Sequence, residues 1–119
     1  MIRFIVIVAM LLPLPVMAEF VHPMDYDGSF KQKRFLIDYI DERVRYEYCY
    51  KTKDSCRNTT LRMKLRQNMN AFEEATQAKN RTLMDAAIAH NCSDAVDECN
   101  YPSILKHYKQ ALSETVKKP

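Results

Sequence analysis

The sequence predicts an all-α domain carrying two disulfide-stapled corners behind a cleaved signal peptide. It has three helices, or four if the middle one turns near residues 76–80. Three observations predict it. Apolar residues recur at helical spacing over most of the chain. Glycine occurs once in 119 residues, at Gly28, whereas the hairpins of an all-β fold usually require it. The four cysteines form two C-x6-C pairs, Cys49 with Cys56 and Cys92 with Cys99. A hydrophobic share of 47% against 28% charged residues marks a chain that folds rather than a disordered one.

The first element is the leader, residues 1–18. Arg3 supplies a positive start, Phe4 to Leu14 are almost wholly apolar, and Val16-Met17-Ala18 places small residues before a cut at Glu19. The apolar run is shorter than the ~20 residues that span a bilayer, so a retained anchor is the lesser reading and the mature form is expected to hold no transmembrane segment. Residues 19–28 follow as an N-terminal arm, expected to be loose. The helical domain then covers 29–116.

Ser29 and Gln32 have the spacing of a capping box, opening a helix near 29–49 along the stripe Phe30, Ile37, Ile40, Val44 and Tyr48. Leu61, Leu65, Met69, Phe72 and Thr76 form a second stripe, and Leu83 and Ala87 continue it in phase. Neither glycine nor proline interrupts Leu61 to Ala89, which favours one helix over 59–91; a turn near Thr76–Asn80 would instead give a four-helix bundle. Ile104, Leu105, Tyr108, Leu112 and Val116 mark the last helix, near 102–116, with Pro102 tolerable in its first turn. Asn58 and Asn100 stand at expected N-caps.

An even set of cysteines in a small exported domain reads as disulfides. The expected pairs are local, Cys49–Cys56 and Cys92–Cys99; nested pairing requires the bundle. The matched loops, and Thr60-Leu61 facing Ser103-Ile104 at the same offset, suggest a duplicated unit of helix, C-x6-C loop and helix. A metal set of His90, Cys92, Cys99 and His107 fits no common zinc spacing, so neither metal nor cofactor is expected.

A single glycine excludes P-loops, dinucleotide fingerprints and nucleophile elbows. Glu73 and Glu74 diverge by about 100° on a helix, and no serine has a base at recognised motif spacing. The protein is therefore expected not to be an enzyme. Net charge is only +3, including Arg3 of the leader, too small for bulk steering. Its distribution carries more. The first corner holds Lys51, Lys53 and Arg57 beside Tyr48 and Tyr50; the second holds Asp94, Asp97 and Glu98. These residues are the candidate partner-binding set, since tyrosine is favoured at interfaces and charge orients encounter.

The expected function is an exported interaction protein, periplasmic in a bacterium or secreted. Its expected partner is a protein or an anionic glycan or lipid surface; export argues against nucleic acid. Head-to-tail self-association through the opposite charges is a further option. The alternatives are an inhibitor or regulator of a lytic enzyme or lysis system, and a secreted effector or toxin. Asn58, Asn80 and Asn91 lie in glycosylation sequons.

Overall fold

Cap chemistry sets the start of the helical domain. In the computed structural model, which describes residues 19–52 and 56–117, Ser29 Oγ accepts the Gln32 N–H at 3.2 Å, and Gln32 Oε1 accepts the Asp27 N–H at 2.7 Å. Gly28 turns the chain into this cap with φ +75°, a conformation glycine adopts without a Cβ clash. Helix α1 then runs Phe30–Arg45, and one wide π turn, Tyr46–Lys51, leads into the first corner. Helix α2 is Asn58–Ala75, α3 is Arg81–Asn91 and α4 is Tyr101–Lys117. No strand occurs among the described residues. Residues 1–18, on which the expected leader falls, and Lys53 lie outside them.

Both disulfides are local. Cys49 pairs with Cys56 and Cys92 with Cys99, with Cα atoms 4.7 and 4.3 Å apart. Each staples a helical hairpin, α1 to α2 and α3 to α4, and each second helix begins two residues past its closing cysteine. Helix α4 packs on both α2 and α3, and α1 packs on α2.

The continuous helix over 59–91 does not form; the chain turns at Thr76–Asn80, giving four helices. The break uses no glycine or proline. Thr76 Oγ1 donates to the Glu73 carbonyl at 2.6 Å, a local bond that competes with helix continuation. Asn80 Oδ1 then accepts the Leu83 N–H at 3.0 Å and caps α3. The Asn80 N–H is in turn taken by the Tyr108 hydroxyl of α4 at 3.3 Å. Fully buried Ala75, with Ala78 packed beside the core, lets the chain bend close to its neighbours.

The core is Leu36, Ile40 and Val44 of α1, Phe72 and Ala75 of α2, Met84 and Ala87 of α3, and Tyr101, Ile104 and Tyr108 of α4. The stripe predicted for α1 holds at Ile40 and Val44, but Leu36 replaces Ile37 inside, and Phe30 and Ile37 face solvent. Asn100 caps α4 as predicted, accepting the Ser103 N–H at 2.9 Å. Arg57, not Asn58, precedes α2, without a side-chain cap.

The N-terminal arm is not loose. Val21 and Pro23 are buried, and Phe20 stacks on Tyr101 and meets the edge of Tyr39. Tyr101 supplies the anchor: its hydroxyl donates to the Val21 carbonyl at 2.8 Å and accepts the Val21 N–H at 3.3 Å. Burial pushes that phenol's pKa far up, so it stays a donor. His22 pairs with Asp85 at 2.7 Å, and Asp25 holds both ends of the Arg81 guanidinium. Arm, α3 and α4 are thereby tied together.

Candidate functional site

The two corners lie side by side, because α1 carries the groups that hold the second corner against the first. Arg43 sits near the end of α1 with its side chain 14% exposed. Its Nε donates to Glu47 Oε1 at 2.9 Å, one turn along. Its Nη2 reaches across to the second corner and donates to the Asp97 carbonyl at 2.7 Å and to Asp97 Oδ1 at 3.0 Å. The Tyr46 hydroxyl donates to Asp97 Oδ2 at 2.6 Å, and Lys51 Nζ donates to the Asp97 carbonyl at 3.1 Å. Asn100, whose oxygen caps α4, donates through Nδ2 to Glu47 at 3.0 Å. The Tyr39 hydroxyl donates to the Cys99 carbonyl. The Asp97 carboxylate thus gathers Arg43 of α1 with Tyr46 and Lys51 of the first corner, the last as an ion pair at 3.4 Å.

The backbone is shaped for this. Asp97 has φ +50°, a region that aspartate and asparagine tolerate better than most side chains, and its N–H donates to the Ser93 carbonyl at 2.8 Å. The Tyr46 hydrogen bond, aided by Arg43, holds the Asp97 carboxyl below the usual carboxylate range. Tyr46 is raised by the same bond. Burial pushes Tyr39 up to about 12. For Arg43, desolvation opposes the charge, but Glu47 and Asp97 outweigh it and its pKa is raised. Between the end of α1 and the second corner lies a cleft of about 370 Å³ walled by Tyr39, Arg43, Tyr46 and the second disulfide.

The candidate residues therefore divide. Lys51 and Asp97 meet each other within one chain, so this part of the opposite charge is used internally. Tyr48 is half-buried, with Lys64 Nζ 5.3 Å from its ring centre. Tyr50 is 73% exposed. Arg57, Asp94 and Glu98 are exposed and have no ion-pair partner among the described residues. Lys53 falls outside them. The residues that build the junction, Arg43, Tyr46, Glu47 and Asn100, were not singled out for it; only the i, i+4 spacing of Arg43 and Glu47 signals part of it.

Elsewhere the chemistry is sparse. Cys92 and Cys99 form a disulfide, so they offer no thiolates to a metal; the rings of His90 and His107 touch at 4.7 Å between centroids, and His107 Nδ1 lies 3.2 Å from Asn91 Oδ1. No group of three or more His, Cys, Asp or Glu among the described residues is placed to hold a metal ion. Glu74 pairs with Lys109 at 2.5 Å. No helix among the described residues is long and apolar enough to cross a membrane. Compared with known proteins, the chain matches no family model, and no curated protein or solved structure shows significant similarity to it.

Proposed function

We propose that this is an exported, non-catalytic binding protein whose disulfide-stapled end recognises a macromolecular partner. The carrying observation is Tyr50, 73% exposed in a segment held by a disulfide on one side and by the Asp97 junction on the other. A rigid aromatic side chain with a wet hydroxyl gives contact area at low entropic cost. Arg57 lies just past the closing cysteine and supplies an uncommitted cation beside it. The two disulfides support an oxidising compartment, since such bonds persist outside the cytosol. The corner junction supports preorganisation at Tyr50, whose neighbours Cys49 and Lys51 are held by the disulfide and by Asp97 before a partner arrives.

The partner on this reading is a protein or an anionic glycan that meets Tyr50 and Arg57, oriented by charge. The variant Tyr50→Ser/Arg57→Glu tests it without touching the Asp97 junction. Affinity capture from the compartment of export is expected to return a partner with wild type and to lose it with this variant. Wild-type capture is expected to weaken as salt rises, because exposed charges are screened beyond about 8–10 Å near physiological ionic strength. Equal capture by both proteins at low salt would assign binding to another face.

A further inference from the structure

A second surface lies at the opposite end of α1. Phe30 is 82% exposed and Ile37 50% exposed. Seven residues apart on a helix, they share one face, two turns from each other. Arg34 falls between them, and Lys31 and Lys33 flank the stripe. All three cations are exposed. Lys31 Nζ lies 5.7 Å from the ring centre of Phe35; Lys33 and Arg34 have no ion-pair partner among the described residues. Leu36 and Ile40, on the adjoining face of the same turns, are in the core, whereas Phe30 and Ile37 lie at its edge with half or more of their surface exposed, so burial does not account for both being apolar.

The charges are also placed against local preference. The first turn of α1 contains no acid, and cations near a helix N-terminus face the positive end of the macrodipole, where carboxylates are favoured. Three bases precede the first acid of the helix, Asp38. Such a local conflict is expected where a surface serves something outside the chain.

We infer that this edge of α1 docks the protein on an anionic phospholipid surface, with Phe30 and Ile37 entering the interface and Lys31, Lys33 and Arg34 meeting lipid phosphates. A lipid surface is favoured over an acidic protein by the arrangement. The apolar side chains stand out from a single helix face with cations on both sides, the distribution that lets rings sit below the headgroups while bases remain among them. Attachment through one short face is weak and reversible. Helix α1 ends at Arg45, about 12 Å beyond Ile37 and about 22 Å beyond Phe30 at 1.5 Å per residue, and Tyr50 and Arg57 lie past that end, so docking leaves them accessible.

The chain contains no tryptophan, so Phe30→Trp places a single reporter at the site. The probe is vesicles of phosphatidylglycerol mixed with phosphatidylcholine, against vesicles of phosphatidylcholine alone, added to the processed, oxidised protein. Emission is expected to shift to the blue with the anionic vesicles only, and high salt is expected to reverse the shift. In the same background Lys33→Glu/Arg34→Glu is expected to weaken vesicle binding by about tenfold or more; in the otherwise wild-type chain Phe30→Ser is expected to abolish co-sedimentation with unchanged helical circular dichroism. No shift with anionic vesicles at low salt overturns the inference, as does equal binding by the charge-reversed protein. Binding to polyglutamate but not to vesicles also overturns it, assigning the patch to an acidic protein. Because these variants leave Tyr50 and Arg57 intact, their outcome is separate from that of partner capture.

Discussion

Replacing Asp97 by Asn isolates the charge that joins the two corners. Asparagine tolerates the positive φ of this position at least as well as aspartate, so backbone strain is not added. The carbonyl of residue 97 keeps its bonds from Arg43 and Lys51. What is lost is the anion that accepts from Arg43 at 3.0 Å and from Tyr46 at 2.6 Å and pairs with Lys51 at 3.4 Å. A hydrogen bond to a charged group contributes about 1.5–3 kcal/mol net. The Asp97 side chain is 32% exposed, and exposed pairs contribute only about 0.2–1 kcal/mol, so a cost of about 1–2 kcal/mol is expected. For a domain near 100 residues that lowers Tm by roughly 5–10 °C. The assay is reversible thermal unfolding of the oxidised protein at pH 7, followed by helical circular dichroism. Because Asp97 has a lowered pKa in the folded state, its contribution is complete above the ordinary carboxylate value near 3.9 and fades as pH falls through the lower folded value. Wild type and Asp97→Asn should therefore converge in strong acid. Melting of the variant within a degree of wild type at pH 7 would refute the junction, and so would a difference that persists unchanged in acid.

Three further outcomes are expected. Tyr101→Phe leaves the Val21 N–H and carbonyl without their partner, costing about 1–3 kcal/mol, and hydrogen exchange should rise first along residues 20–25. Asn80→Ala removes the cap of α3, at about 1 kcal/mol by thermal unfolding, while an unchanged Tm would mean the turn rests on Tyr108 alone. Replacing Cys92 and Cys99 together by Ser should cost about 2–3 kcal/mol in the chain-entropy model and retain helix content; loss of the helical spectrum would mean the staple directs folding as well as stabilising it.

Much of the fold was legible because it depends on local pattern. Ile40, Val44, Phe72, Ile104 and Tyr108 recur at helical spacing, and the close cysteine pairs suit hairpin corners. The failures share a cause. The turn at Thr76–Asn80 has no glycine or proline, and one of its supports, the Tyr108 hydroxyl, lies 28 residues away. The arm is fixed by Tyr101, 80 residues on, so residues 19–28 look loose when read alone. In α1 the exposed Phe30 set the phase of the predicted stripe and drew Ile37 inward in place of Leu36. At the corners, opposite charge was visible, but not that Asp97 meets Arg43, Tyr46 and Lys51 in its own chain. That meeting depends on how the two hairpins pack, which no local spacing encodes. It leaves Tyr50, Arg57, Asp94 and Glu98 as the outward part of the candidate set.

On the proposed reading, the stapled end meets its partner through Tyr50. A photo-crosslinking amino acid at position 50, introduced into the protein in its native cell, is the sharpest test. Position 116 is the control, since Val116 is 79% exposed, close to the 73% of Tyr50, but lies near the end of α4. A discrete crosslinked species is expected from position 50, absent from position 116 and lost when Arg57→Glu is added. The same species from both positions, or none from position 50 while position 116 crosslinks, would contradict it.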